Sequence, residues 1–365
     1  MSKSLGVIGG GQLARMMIAP ARALGIDIKV LAESEGSPAQ AAATQVGDYK
    51  DLDTVLQFAK TVDVITFDHE HVPLHILEHL EAEGFIVEPS SQALRFAQNK
   101  LDMREKLTQL GVPCPDWAKV STAAELDEFK NNHGGVAILK TPTGGYDGKG
   151  VKVVRSSADA SDWLNGSPLL VEEKVNFVRE VAQLSARNRL GEWSSWDLVE
   201  TVQQDGVCAE VNSPAPNANF ALASNIAKTI AEGLDVTGVL AVEMFETADG
   251  RLLVNELAMR PHNSGHFSIE GSATSQFEQH IRAVSGMPLG DTSPTKSYSV
   301  MLNLLGPNDT NDFGLMDREL DGASVHVYGK APRVGRKMGH ITAISNESLD
   351  DARQIATRVF KGLQA

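Results

Sequence analysis

The opening segment leaves this chain little freedom of fold. Residues 5–8 are an apolar run of strand length, Gly9-Gly10-Gly11 is a tight turn, and residues 12–24 carry Leu13, Met16 and Met17 at helical spacing. A strand that turns this sharply into a helix begins a βα unit. Further apolar runs at 28–31 and 64–67 and a short one at 85–87, with helical patterns between them, continue the rhythm to about residue 90. They predict a parallel sheet with helices on both faces, because parallel neighbours need crossover connections.

Beyond this unit the pattern changes. Ala93, Leu94, Phe96, Ala97, Leu101, Met103 and Leu107 mark residues 91–110 as one long helix, ended by Gly111, Pro113 and Pro115, and the first domain boundary falls near it. From 136 to about 257 strands joined by glycine-rich turns dominate, with helices near 156–165 and 217–233, which reads as an α+β domain. Residues 286–297 have the composition of a linker, and a short αβ segment follows, ending in a helix at about 348–363. A length of 365 residues exceeds one hydrophobic core, so two or three domains are expected, with an active site between them. No internal repeat or low-complexity tract interrupts the pattern.

Charge and cysteine usage narrow the function. With 33 basic and 47 acidic side chains the formal charge is -14, which disfavours nucleic-acid and membrane partners; an anionic ligand must be held by local basic groups. Cys114 and Cys208 form neither a CxxC pair nor a metal-ligand spacing, which suits a reduced, cytoplasmic setting. The N-terminal apolar run is too short for a signal peptide, and none later approaches membrane-spanning length.

Several motifs carry chemistry. Gly9-Gly10-Gly11-Gln12-Leu13-Ala14 matches G-x-G-x-x-A, and Glu33 ends the second strand where a ribose-binding acid would sit. Glycines at a helix N-terminus free N–H groups for any phosphate, so a dinucleotide site, another anion site and a merely tight turn all stay open. From Lys140 to Gly150, four glycines and two lysines lie between apolar strands. A lid over phosphates needs this chemistry, since glycine lets the main chain approach and lysine supplies point charge. A surface hairpin would not need Val-Ala-Ile-Leu running straight into Lys140, and neither a Walker A nor a kinase signature is present.

The strand ending Val171-Glu172-Glu173-Lys174-Val175, with Glu180 beyond it, could pair with an adenine edge and accept from ribose, or be only a charged strand end. Glu243 and Asn255-Glu256 interrupt apolar runs on neighbouring strands. Buried acids need a partner, and Mg²⁺ suits two carboxylates plus phosphate oxygens, a buried salt bridge being the alternative. Arg260-Pro-His262-Asn263-Ser-Gly-His266 reads as a small-anion pocket, because arginine grips a carboxylate or bicarbonate in a planar fork and histidine binds or moves a proton. Zinc is the weaker reading, since no HExxH surrounds these histidines. Lys330, Arg333, Arg336 and Lys337 make a basic cluster suited to phosphate, or a solvated loop.

In this order the segments resemble the ATP-grasp superfamily and, within it, the N5-carboxyaminoimidazole ribonucleotide synthetases, the ATP-dependent carboxylases of purine synthesis. The resemblance spans nearly the whole chain and rests on GGGQLARMM, GGYDGKG, NELAMRPHNSGH and YGKAPRVGRKMGH. It implies an α/β and α+β multidomain protein: a Rossmann-like N-terminal domain over 1–98, an ATP-grasp domain over 99–295 and a small C-terminal domain over 296–365, paired as a homodimer. Motif by motif, it implies that Lys140 and the loop Gly145, Tyr146, Asp147, Gly148, Lys149, Gly150 and Val151 lie over the ATP phosphates. Glu172, Glu173, Lys174 and Val175 would hold adenine and Glu180 ribose, with Lys100, Gln203 and Asn255 completing the ATP contacts. Glu243 and Glu256 would ligate Mg²⁺, with Mn²⁺ an alternative. Arg260, His262 and Asn263 would position bicarbonate or the carboxylated product and, with Lys330, make up the catalytic set. Glu70, Tyr146, Asp147, Lys330, Arg336 and Lys337 would surround aminoimidazole ribonucleotide.

Three positions depart from the family pattern: Lys100 and Gln203 replace an arginine and a histidine that contact the nucleotide, and Met259 replaces the proline of APR. The implied reaction is phosphoryl transfer from ATP to bicarbonate, then delivery of the carboxyl carbon to the exocyclic amine. The rivals are an ATP-grasp ligase for another substrate, a dinucleotide-dependent oxidoreductase and a silent nucleotide-binding regulator.

Overall fold

The computed structural model describes residues 3–145, 150–204, 206–307, 313 and 318–364. The opening runs form a four-stranded parallel sheet in the order Ala43–Val46, Asp27–Ala32, Ser4–Ile8, Val64–Phe67. Alternation along the strands feeds two cores. Leu5, Val7 and Val30 pack with Met17 and Ala21 of helix Gln12–Ala23, while Ile8, Leu31 and Phe67 pack with Phe58 of helix Leu52–Ala59 and Leu77 of helix Leu74–Ala82. Helices therefore cover both faces, as expected. The run at 85–87 yields no strand, only an isolated parallel bridge between Ile65 and Val87. Pro89 follows closely and has no N–H with which to extend the ladder.

The single helix expected over 91–110 is two, Ser91–Gln98 and Lys100–Gln109. Asn99 between them leaves the helical region at φ -123, ψ 111, and its side chain accepts from the N–H groups of Leu101 and Asp102 at 3.0 and 3.3 Å. The apolar periodicity runs through the break, but an N-cap restarts the helix and sets the direction of Lys100 and Arg104. Asn99→Ala should therefore cost about 1 kcal/mol of stability, read as a lower urea midpoint at unchanged slope.

The middle region holds a second sheet, entirely antiparallel, in the order Trp117–Val120, Leu169–Glu173, Ala137–Lys140, Val151–Val154. A helix that the apolar pattern did not indicate, Ala123–Asn132, packs on it behind a Thr122/Glu125 capping box. Over 156–165 only the 3-10 turn Ser157–Ala160 forms, where a helix was expected. A third sheet of ten strands is antiparallel throughout and runs from Leu252–Ala258 and Gly238–Thr247 through Phe177–Arg187, Val199–Gln204 and Val207–Ser213. It continues into Tyr298–Leu305, Lys337–Ser345, Ala323–Val327 and Arg318–Leu320, and the tenth strand, Trp193–Ser195, pairs with Phe177–Arg187 off this path. The irregular stretch at 286–297 thus separates the last segment in sequence but not in hydrogen bonding, since Val211 pairs with Met301 across it.

Helix Gln276–Val284 ties the middle region to the first sheet. Phe277, Ile281 and Val284 join the core of Leu5 and Val7. The fully buried His280 accepts at Nδ1 from the Val239 N–H at 3.1 Å, which leaves its proton on Nε2 to donate to Thr66 Oγ1 at 2.8 Å. Among the described residues no helix is long and apolar enough to cross a membrane.

Candidate active site

A cleft of about 1310 Å³ opens where the three sheets and the basic C-terminal segment meet. It is lined by Lys100, Lys140, Gly145, Val151, Glu172, Glu173, Lys174, Val175, Glu180, Gln203, Glu243, Asn255 and Glu256. Glu70, Arg260, His262, Asn263, Lys330, Arg336 and Lys337 complete the wall. Of the described residues that the resemblance assigns to ATP, metal or substrate, only Gly150 lies off the lining; it sits at φ +72 at the base of the hairpin, where its carbonyl accepts from the Thr141 N–H at 3.0 Å. Tyr146, Asp147, Gly148 and Lys149 lie outside the described residues.

Strand alternation places the lysine. In Ala137–Lys140, Ala137 and Leu139 enter the core, while Ile138 and Lys140 face the cleft. Lys140 Nζ stands 2.6 Å from Glu172 Oε2 and 3.1 Å from Asn255 Oδ1. Burial pushes the lysine pKa down and the Glu172 carboxylate beside it works against the shift. For Glu172 burial is the largest influence and acts upward, yet the neighbouring Arg104 and Lys140 together outweigh it and hold the carboxyl below its usual range. Arg104, in none of the sequence motifs, donates to Glu172 Oε1 at 2.5 Å.

Glu243 and Glu256 stand directly opposite each other on antiparallel strands, so their side chains share one face. Burial, then Glu256 and Glu180, raises Glu243 to about 7. Its side chain still keeps 30% of its surface open to the cleft, so a cation can reach it. Lys100 Nζ approaches Glu256 at 3.1 Å. Among the described residues no group of three or more His, Cys, Asp or Glu side chains is placed to hold a metal. Two opposed carboxylates instead suit a hard cation that completes its shell with phosphate oxygens and water. Zinc gains no support, because His266 is fully buried and its Nδ1 lies 3.0 Å from Gln276 Nε2.

Glu180 accepts from Gln203 Nε2 at 3.3 Å, and burial raises its pKa. Phe177 and Phe245, stacked with centroids 4.7 Å apart, add aromatic surface to the wall near Val175. The sequence reading did not single them out, because apolar residues in strands read as core.

Around Arg260 the structure gives a departure a use. Glu70 Oε2 lies 3.3 Å from Arg260 Nε, and Glu70 Oε1 accepts from the Met259 N–H at 2.6 Å. A proline at 259 could not make that bond. His262 Nδ1 accepts from the Ser264 N–H at 3.4 Å, so the ring proton sits on Nε2 and faces Glu243 Oε1 at 3.4 Å. Burial, then Arg260 and Lys337, pushes His262 down to about 3, which makes it a neutral hydrogen-bond donor rather than a cation at neutral pH. Asn263 lines the same cleft, and its side-chain amide meets the Cys208 thiol. Lys330 donates to Gln12 Oε1, joining the basic segment to the first helix.

The glycine loop resolves as a tight turn filled from within. Glu33 Oε2 accepts from the Gly10 N–H at 3.0 Å, and Asp68 accepts from Gly11 and Ala14 at 2.9 and 2.7 Å. The donors that would grip a dinucleotide pyrophosphate are taken by the chain's own carboxylates, and a Cβ at Gly11 would collide with Asp68. Glu33 is lowered to about 2, chiefly by its hydrogen bond from His69. The oxidoreductase reading loses its only support.

Three family models match the chain in order along its length. The model of the ribonucleotide synthetase preATP-grasp domain matches residues 1–98, that of the ATP-grasp domain 105–277, and that of the phosphoribosylaminoimidazole carboxylase C-terminal domain 299–354. N5-carboxyaminoimidazole ribonucleotide synthase of Mycobacterium tuberculosis H37Rv is 45% identical over 357 residues, covering 93% of this chain and 83% of that protein. The crystal structure of N5-carboxyaminoimidazole synthase from Aspergillus clavatus, in complex with ADP and 5-aminoimidazole ribonucleotide, superposes with a TM-score of 0.89 at 34% identity, covering 100% of this chain and 99% of that one. The synthetase from Thermus thermophilus gives 0.87 at 36% identity over 97% and 98% of the chains.

Proposed function

Because the chain belongs to the N5-carboxyaminoimidazole ribonucleotide synthase family of ATP-grasp enzymes, we propose that the cleft carboxylates 5-aminoimidazole ribonucleotide at the expense of ATP, in purine biosynthesis. Bicarbonate is the carboxyl donor, and a cytoplasmic homodimer is the form the resemblance implies. The observation that carries the reading is a single cleft joining the opposed Glu243–Glu256 pair and the buried Lys140 to the Arg260, His262 and Asn263 pocket.

A bicarbonate oxygen attacks the γ-phosphorus of ATP, and ADP departs with the electrons of the broken P–O bond. The resulting carboxyphosphate is attacked at carbon by the exocyclic amine, phosphate leaves and the amine loses a proton. Glu243 and Glu256 are the residues for Mg²⁺, which when bound neutralises phosphate charge. Lys140 adds positive charge at the phosphates, and Lys100 does the same as a point charge where an arginine would grip with two donors. Glu172 to Val175 take adenine, and Glu180 with Gln203 takes ribose. Arg260 aligns the carboxylate in its fork, while the neutral His262 and the Asn263 amide donate to its oxygens without surrendering a proton. Glu70, held by Met259 and Arg260, together with Lys330, Arg336 and Lys337, receives the ribonucleotide and its phosphate. Tyr146 and Asp147, with Gly145 and Gly148 to Val151, belong to the phosphate lid in this reading and help exclude water from the labile intermediate.

The test is ADP release by purified protein with Mg·ATP and bicarbonate, with and without aminoimidazole ribonucleotide. Turnover that needs the ribonucleotide and falls by at least about 10²-fold in Glu256→Ala is expected. ADP release indifferent to the ribonucleotide would overturn the substrate assignment.

A further inference from the structure

Arg104 has no exposed surface, yet it carries a charge that the core does not require. Its Nε donates to Glu172 Oε1 at 2.5 Å, one terminal nitrogen donates to the Asn255 carbonyl at 2.8 Å, and the other faces Cys114 Sγ at 3.8 Å. These partners belong to different sheets: Glu172 lies in the four-stranded antiparallel sheet and Asn255 in the ten-stranded one. Lys140 closes the ring, since its ammonium meets the other oxygen of Glu172 at 2.6 Å and the side-chain oxygen of Asn255 at 3.1 Å. Both oxygens of Glu172 are thus occupied by cations, which leaves it neither a metal ligand nor a base. Two cations around one carboxylate also leave surplus positive charge beside the cleft.

Burying a guanidinium is costly, and an apolar side chain of similar volume would often serve packing as well or better. What an apolar side chain cannot do is fix a carboxylate and a main-chain carbonyl with one rigid fork. We infer that Arg104 is a positioning residue of the nucleotide site, holding Glu172 and the Asn255 main chain in register across two sheets so that Lys140 and Glu256 address the same phosphates. This rests on the ATP-dependent reading above. The residue touches no substrate; it acts through Lys140 and through the strand that carries Glu256.

The experiment compares Arg104→Met, Arg104→Lys, Lys140→Met and the Arg104/Lys140 double variant by steady-state kinetics and thermal melting. Arg104→Met is expected to raise the KM for ATP by at least about 10-fold with little change in the KM for the ribonucleotide, and Arg104→Lys to recover part of the loss. In the Lys140→Met background the effect of Arg104→Met should shrink, because one of the two groups it positions is gone. An unchanged KM for ATP, or effects of the two substitutions that simply multiply, would overturn the inference. So would a lower melting temperature with both KM values unchanged, which marks a merely structural role. If Arg104→Met does not fold, Arg104→Lys carries the same comparison. Calorimetric binding of a non-hydrolysable ATP analogue to wild type and variants separates the two readings. Tight binding by wild type that weakens in Arg104→Met upholds the role of Arg104 even if the ribonucleotide fails to stimulate ADP release.

Discussion

Glu243→Gln should cut ribonucleotide-dependent ADP release by about 10²–10³-fold and, in the nucleotide-free protein at pH 8, raise the melting temperature by about 2–4 °C. The two effects have one cause. Glu243 faces Glu256 in direct register across an antiparallel pair, and like charges so placed repel. Burial first, then Glu256 and Glu180, lifts its pKa to about 7, so the folded protein binds this proton more tightly than the unfolded chain does. Stability from that preference is present at low pH and is lost as pH rises through about 7. Glutamine keeps the shape, removes the charge and can still accept from His262 Nε2, so the stabilisation should grow with pH between 6 and 8. Removing the same charge takes away half of the carboxylate pair that suits a phosphate-bound cation, which is why activity falls as stability rises. A variant that melts lower than wild type at pH 8, or that keeps activity within about 5-fold, would sink the assignment of a strained carboxylate pair.

The positions of Glu243 and Glu256 could be read in the sequence because a carboxylate inside an apolar strand contradicts its surroundings, and such contradictions collect at functional sites. Lys140 was legible for the same reason, ending the run Ala-Ile-Leu. Arg104 was not. On helix Lys100–Gln109 it sits among Lys, Asp and Glu, and nothing local distinguishes a buried arginine from a solvated one. The glycine loop was ambiguous because its occupants arrive from elsewhere: Glu33 follows the second strand and Asp68 the fourth, and only the fold brings them to Gly10 and Gly11. Met259 read only as a departure from the family pattern, whereas its main-chain N–H is what Glu70 uses. The ten-stranded sheet escaped notice for the reason that pairings such as Val211 with Met301 leave no trace in local periodicity.

Lowering the pH from 7.5 to 5.5 should destabilise the protein and lower its melting temperature. Burial pushes His262 and His280 down to about 3 and drives His266 and His340 well below the ordinary histidine value. All four stay neutral in the folded protein while the unfolded chain takes up protons at about 6.5. The unfolded state therefore binds more protons, so stability is full above 6.5 and falls as pH drops toward the folded values. Each histidine contributes a loss as pH falls below about 6.5, and proton uptake by folded Glu243, raised to about 7, acts in the opposite direction. Melting temperature measured from pH 8 to 5 reads the total. His280→Gln isolates one member, because an amide can still accept from Val239 N–H and donate to Thr66 Oγ1, as the imidazole does, without taking a proton. That variant should lose stability with acid less steeply by about one proton. A melting temperature that stays level from pH 7.5 to 5.5, or a His280→Gln curve parallel to wild type, would show that these rings are not held neutral by the fold.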